Sequence, residues 1–247
     1  SFSSFYFALL LALFALFLRP LGFDYRSKLT NKKWRDNWDR ALFVGGFVPA
    51  LIFGIAFGNL LKGIPFHLEN DMRIVYFGDL RGLLNGFSLL VGLVSLSMFI
   101  MHGAVYLQMK TVGDINERAK KMVWIFSLST MVLFAIAGYW ITVLDGYHIV
   151  SEILPNGPSN PLAKFVKREP GLWLDNYGHL PGLMAVPVVA FVSALFTVIF
   201  SKFNRPGIAF VFSALVVTFI ILTAGCSMFP FLIPSNMSAN SSLTVWD

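Results

Sequence analysis

Six stretches of this chain, 2–18, 41–61, 83–107, 122–144, 181–200 and 208–232, are apolar and contain no Asp, Glu, Lys or Arg. A helix rises about 1.5 Å per residue, so about 20 residues cross a hydrocarbon core about 30 Å thick. Lipid offers the backbone no hydrogen-bond partner, and a helix is the single-segment solution that pairs every backbone group internally. The chain is therefore read as an all-α integral membrane protein, one polytopic transmembrane helix bundle over 1–247 with six visible spans. Only 13% of its residues are charged, against about 25% in soluble domains, which agrees with a surface that mostly faces lipid.

The basic residues are distributed unevenly between the spans. The first, third and fifth connections hold 7, 4 and 2 Lys and Arg, against 3 each in the second and fourth. Lys and Arg are retained on the cytoplasmic side, so the odd connections are expected in the cytoplasm and both visible ends outside. The net charge of +6 is then a topology signal, with lipid headgroups as counter-charge, and nucleic acid is excluded as a natural partner.

Shorter signals refine this picture. Trp34 and Trp38 stand four apart among Lys32, Lys33 and Arg35, which suggests a short interfacial helix anchored at the headgroups before the second span. Gly54 with Gly58, Gly82 with Gly86, and Ser95 near Ser97 have the small-residue spacing that lets membrane helices approach closely. Pro49, Pro187, Pro230 and Pro234 are expected to kink or end their helices, as Arg19 and Pro20 end the first span. The fourth connection, broken by Pro155, Gly157, Pro158, Pro161, Pro170 and Pro181, is expected to fold against the outer face of the bundle, and the tail from Pro234 is expected to be another outer segment. Cys226, the lone cysteine, reads as a small buried hydrophobe.

Few residues invite chemistry. His102 is the one imidazole inside a span, where a haem-ligand reading competes with a hydrogen-bonded packing role. His67, His148 and His179 fall in outer connections without partners at metal-ligand spacing. No Gly-rich phosphate loop or Ser, His and acid set is recognisable. Asp24 remains: it follows the first span closely, and a helix through Asp24 and Lys28 would put both on one face. An acid there can collect a proton and pass it inward, or simply balance charge.

The segments FLRPLGFDYRSK, KWRDNWD, FVPALIFGIAFGNLLKGIPF, HGAVYLQMKTVG, SNPLAKFVKREPGLWL and ILTAGCSMFPFLIPSNMSANSSLTVWD together resemble subunit II of the cytochrome bd quinol oxidases, from end to end of the chain. The resemblance implies a haem-free subunit of the bacterial cytoplasmic (inner) membrane. Its partner, subunit I, holds two b-type haems and haem d, oxidises quinol and reduces dioxygen to water. It further implies that subunit II supports assembly and carries protons from the cytoplasm, with Asp24 and Lys28 at the entrance and Arg19 positioning their loop. Some members hold a structural quinone in subunit II, and a small accessory subunit would also suit the complex. Subunit II has nine spans in that family. Together with the apolar start at Phe2 without Met, this reads as a fragment carrying spans three to eight, truncated before Ser1 and after Asp247. The competing class is a secondary transporter, for which discontinuous helices and a polar midplane site are expected.

Overall fold

The computed structural model describes residues 2–78, 80–152 and 160–247, and the side chains of all of these except 2–4, 80 and 81. Its helices are α1 (Phe2–Tyr25), α2 (Lys32–Lys62), the single turn α3 (Leu80–Leu83), α4 (Gly86–Lys110), α5 (Asp114–Ile141), the short α6 (Asp175–His179), α7 (Ala185–Lys202) and α8 (Pro206–Met228). All but α3 and α6 are long and apolar enough to cross a membrane, and they match the six runs read from the sequence.

Helices α4, α5, α7 and α8 pack in a ring as a four-helix bundle, α2 packs on the outside of α4, and α1 packs on α2. Between lipid-facing helices, packing and interhelical hydrogen bonds replace the hydrophobic drive. Gly54 of α2 meets Gly92 of α4 so closely that a Cβ there would lie 2.7 Å from the Gly92 Cα. Ser95 donates to the Ala50 carbonyl at 2.8 Å, Ser127 to Ala194 at 3.0 Å, and Thr130 to Ser97 at 3.1 Å. Apolar Met101, Ala194 and Val216 fill the space between them.

Short connections at 26–31, 111–113 and 203–205 gather at one end, which carries most of the basic residues. The opposite end is built from three antiparallel pairs: β1 (Phe66–Leu68) with β2 (Ile74–Tyr76), β3 (Asp145–Ile149) with β4 (Val166–Pro170), and β5 (Phe231–Ile233) with β6 (Leu243–Thr244). These pairs lock together. Ile64 bridges Ser235, the Leu68 amide donates to Ser241 Oγ at 3.1 Å, and the Val166 amide donates to Asn240 Oδ1 at 2.8 Å.

Two expectations are corrected. The first span does not end at Pro20: α1 runs on to Tyr25, because the missing proline donor breaks one rung and the residues beyond bond back, Arg26 N to Gly22 O at 3.1 Å. Trp34 and Trp38 do not form a separate interfacial helix. They occupy the first turns of α2, capped by Asn31 through the Lys33 amide at 2.9 Å, and no breaker stands between Arg40 and Ala41. Pro49 sits inside α2 without ending it, whereas Pro230 follows directly after the last turn of α8. Pro155, Gly157 and Pro158 lie outside the described residues.

Candidate functional site

The densest charge on the molecule surrounds the α1–α2 turn. Gly45 of α2 lies so near Ala15 that a Cβ would stand 2.8 Å from the Ala15 carbonyl oxygen and 2.8 Å from the Arg19 Cγ. The aliphatic stem of Arg19 thereby lies against α2, although the residue as a whole is exposed. The Tyr25 carbonyl at the end of α1 accepts from the Lys28 amide at 3.2 Å and from Trp34 Nε1 at 2.7 Å. Tyr25 stacks on Trp38 at 5.7 Å between centroids, and Trp38 meets Trp34 edge-on at 5.8 Å. The aromatic trio thus fixes where the basic turn leaves the bundle.

On this frame the charged side chains separate into two groups. Arg26 and Asp39 form a forked pair, with Nη2 to Oδ2 at 3.1 Å and Nε on Oδ1. The hydrogen bond that Arg26 donates to Asp39, then the charge of that carboxylate, hold the guanidinium's pKa above its ordinary value. Asp24 stands on the last turn of α1, exposed, and takes part in no ion pair among the described residues. Lys28 lies beyond the end of α1, in the turn, with its ammonium 4.4 Å from the centre of the Tyr25 ring. The helix expected to carry both residues stops before Lys28, so Asp24, Lys28 and Arg19 share one end of α1 without touching as a pair. Asp39, the acid that does find a guanidinium, was not singled out from the sequence; its only signal is a place near Arg26 once α1 and α2 fold back on each other.

Other candidates are placed as well. His102 Nδ1 lies 2.8 Å from Ser213 Oγ, and its ring packs on Phe210 at 4.7 Å, a contact between α4 and α8. His67 stacks on Phe77 at 5.3 Å, and His148 Nδ1 lies 3.2 Å from Asp175. Among the described residues no three His, Cys, Asp or Glu converge as a metal centre would require. A cavity of about 590 Å³ opens between α1, α2, α4 and α8, lined by Phe5, Phe53, Phe57, Phe99, Ile220 and other apolar side chains. Its polar lining is Ser95, whose hydroxyl is already given to Ala50.

At the opposite end, Trp173 is buried at 1% exposure and donates from Nε1 to the Leu61 carbonyl at 2.9 Å. Tyr147 and Phe231 pack on it at 5.4 and 6.1 Å. Burial pushes the Tyr147 phenol up to about 12, with Asp145 adding to the rise and Arg168 opposing it. The Lys164 ammonium meets the Asp247 carboxylate at 2.6 Å, both nearly buried, and the same carboxylate accepts from the Thr244 amide and hydroxyl. Two segments quoted for the resemblance, SNPLAKFVKREPGLWL and the tail through TVWD, are therefore one structural unit. Sequence reasoning missed the pair, because 83 residues separate its members.

The profile of the cytochrome bd terminal oxidase subunit II family matches residues 1–247. A probable cytochrome oxidase subunit 2 of Haemophilus influenzae is 50% identical over 247 residues, all of this chain and 65% of the relative. Subunit 2 of the cytochrome bd-I ubiquinol oxidase of Escherichia coli K12 is 47% identical over 248 residues, with the same coverage of 100% and 65%. The chain thus spans about two thirds of the length of these relatives. The bd oxidase structure from Geobacillus thermodenitrificans superposes with a TM-score of 0.63 at 18% identity, over 91% of this chain and 60% of that one, and shows the same fold. By its full-length profile match and its close relatives, this multi-pass membrane chain belongs to the cytochrome bd terminal oxidase subunit II family.

Proposed function

We propose that this chain works as the haem-free subunit II of a cytochrome bd-type quinol:oxygen oxidoreductase in the bacterial inner membrane. It supports assembly of the haem-bearing subunit I and delivers protons from the cytoplasm for reduction of dioxygen to water. The b-type haems and haem d belong to subunit I in this reading, quinol is the substrate of the complex, and the basic end faces the cytoplasm. His102, engaged by Ser213 and stacked on Phe210, serves the α4–α8 contact.

The observation that carries the proton role is the division of the acids at the α1–α2 turn. Asp39 is committed to Arg26, while Asp24, like Asp36 on α2, is exposed and in no ion pair among the described residues, and Asp24 alone of the two stands at the end of the first span. Asp24 can therefore gain and lose a proton without breaking a structural contact. Lys28, held over Tyr25, keeps a positive charge near the same turn, and Arg19 ties the end of α1 to α2.

The apolar cavity suits the isoprenoid tail of a structural quinone. It does not suit the quinone ring, since the Ser95 hydroxyl is already used. The transporter reading gains no observation in its favour, because the spanning helices continue through their apolar windows and α2 passes through Pro49 without a break.

Purification of the full-length protein tests the proposal. It should bring down a haem-bearing membrane partner, and deleting the gene should abolish the haem d absorbance of the membranes. A normal haem d spectrum in the deletion strain would refute the role in assembly.

A further inference from the structure

A second feature of the basic end lies away from the α1–α2 turn. A cleft of about 300 Å³ opens between the first turns of α5 and the last turn of α7, lined among others by Glu117, Lys120, Lys121, Trp124 and Lys202. Glu117 is taken up by Lys120, Oε1 to Nζ at 2.6 Å. Lys121 and Lys202 are exposed and form no ion pair among the described residues. Ser201 on the cleft wall is already satisfied, giving its hydroxyl to Gln108 Oε1 at 2.6 Å and accepting from Gln108 Nε2 at 2.9 Å on its carbonyl. The cleft therefore presents two uncompensated ammonium groups in one concavity.

Within one turn toward the middle of the helices the surface changes character. Trp124 is 47% exposed, and Leu128, Val132 and Ile136 follow it at intervals of four on the same face of α5. On α7 the exposed Leu195, Val192 and Val188 continue from the cleft in the same direction. A soluble anion would use only the cleft. A membrane phosphodiester would use both parts, its charge at the lysines, its glycerol region beside the indole and its chains along the aliphatic faces.

We propose that Lys121 and Lys202 form a headgroup site for an acidic phospholipid, seated between α5 and α7 at the basic end of the bundle. Two free ammonium groups match a headgroup with two phosphates, as in cardiolipin, better than one with a single phosphate. Lysine acts here as a hydrated point charge, so binding weakens as salt screens the pair. The site stands independently of the oxidase reading.

The test uses the full-length protein in mild detergent, stripped of lipid and titrated with cardiolipin, with bound lipid counted by native mass spectrometry. Phosphatidylglycerol, phosphatidylcholine and inorganic phosphate are run in parallel. Cardiolipin is expected to bind more tightly than phosphatidylglycerol, and both far more tightly than phosphatidylcholine. Lys121→Gln and Lys202→Gln should each weaken cardiolipin binding about fivefold, and the double variant about 25-fold. Lys62→Gln, the same charge change at the opposite end, should leave it unchanged. Wild-type binding by the double variant, equal weakening by Lys62→Gln, or equal binding of phosphatidylcholine would each overturn the site. Displacement of cardiolipin by an equal concentration of inorganic phosphate would overturn its assignment to lipid.

Discussion

The two ends of this bundle handle polar groups in opposite ways. At the basic end, connections of a few residues hold exposed charges, and even the Arg26–Asp39 pair is about half exposed. At the other end, exposed pairs such as Arg73–Asp71 and Lys167–Glu169 stay on the rim, but inside it the β3–β4 and β5–β6 pairs pack with Trp173, Tyr147 and Phe231, and the Lys164–Asp247 pair is about one tenth exposed. Water can solvate the first set at little cost, so its ion pairs contribute little and its groups stay available for exchange. The second set is withdrawn from water, so each partner depends on the other. One end of the subunit is therefore mechanically locked, and the other is chemically open.

The locked end should respond most strongly to substitution. Trp173→Ala removes a buried indole, its hydrogen bond to Leu61 and two ring contacts, and should lower unfolding stability in detergent by about 3–5 kcal/mol. A smaller loss than that of Trp34→Ala, made at the half-buried end of α2, would erase the contrast between the ends.

Breaking the buried pair comes next. Asp247→Asn keeps an acceptor for Thr244 but strips the nearly buried Lys164 of its counter-charge, and should cost about 3 kcal/mol. The double replacement Lys164→Met with Asp247→Leu should recover part of that loss, as read by thermal unfolding of the single and double variants.

Tyr147 gives the sharpest pH signature. Its hydroxyl has no hydrogen-bond partner among the described residues, so Tyr147→Phe should be neutral or slightly stabilising at pH 7. Its phenol ionises near 10 when unfolded and at about 12 when folded. The raised folded value means that this contribution is complete below pH 10 and is lost as pH rises toward 12. The loss amounts to about 2.7 kcal/mol. Wild type should therefore lose stability relative to Tyr147→Phe across that window, and parallel curves would contradict the burial.

Smallest of all is the open end. Arg26→Gln should leave the unfolding temperature unchanged within error, because its pair with Asp39 is exposed. A drop comparable to that of Asp247→Asn would show that the α1–α2 turn is a lock as well.

Legibility followed the same division. The spans and the basic end could be read because hydropathy and charge bias are local properties of the chain: α4 and α8 fall close to the runs 83–107 and 208–232. Helix termini were less accurate where a proline or a loop tryptophan invited an early boundary, as at Pro20 and Trp34. The opposite end was legible only in that its long connection folds back on the bundle, as Trp173 on Leu61 shows. Its structure depends on partners such as Trp173 with Leu61 and Lys164 with Asp247, 112 and 83 residues apart, and no pattern within one segment announces such a contact. Asp24 is a candidate from its position beside the first span alone, whereas its exposure and the capture of Asp39 by Arg26 needed the folded α1–α2 hairpin.

Proton uptake by inverted membrane vesicles carrying the full-length complex tests the proposed role of the open end most directly. With Asp24→Asn, uptake and oxygen consumption should both slow by about tenfold or more, while the haem d spectrum and the amount of assembled complex stay at wild-type levels. Uptake and turnover equal to wild type in that variant would contradict a proton entrance at Asp24.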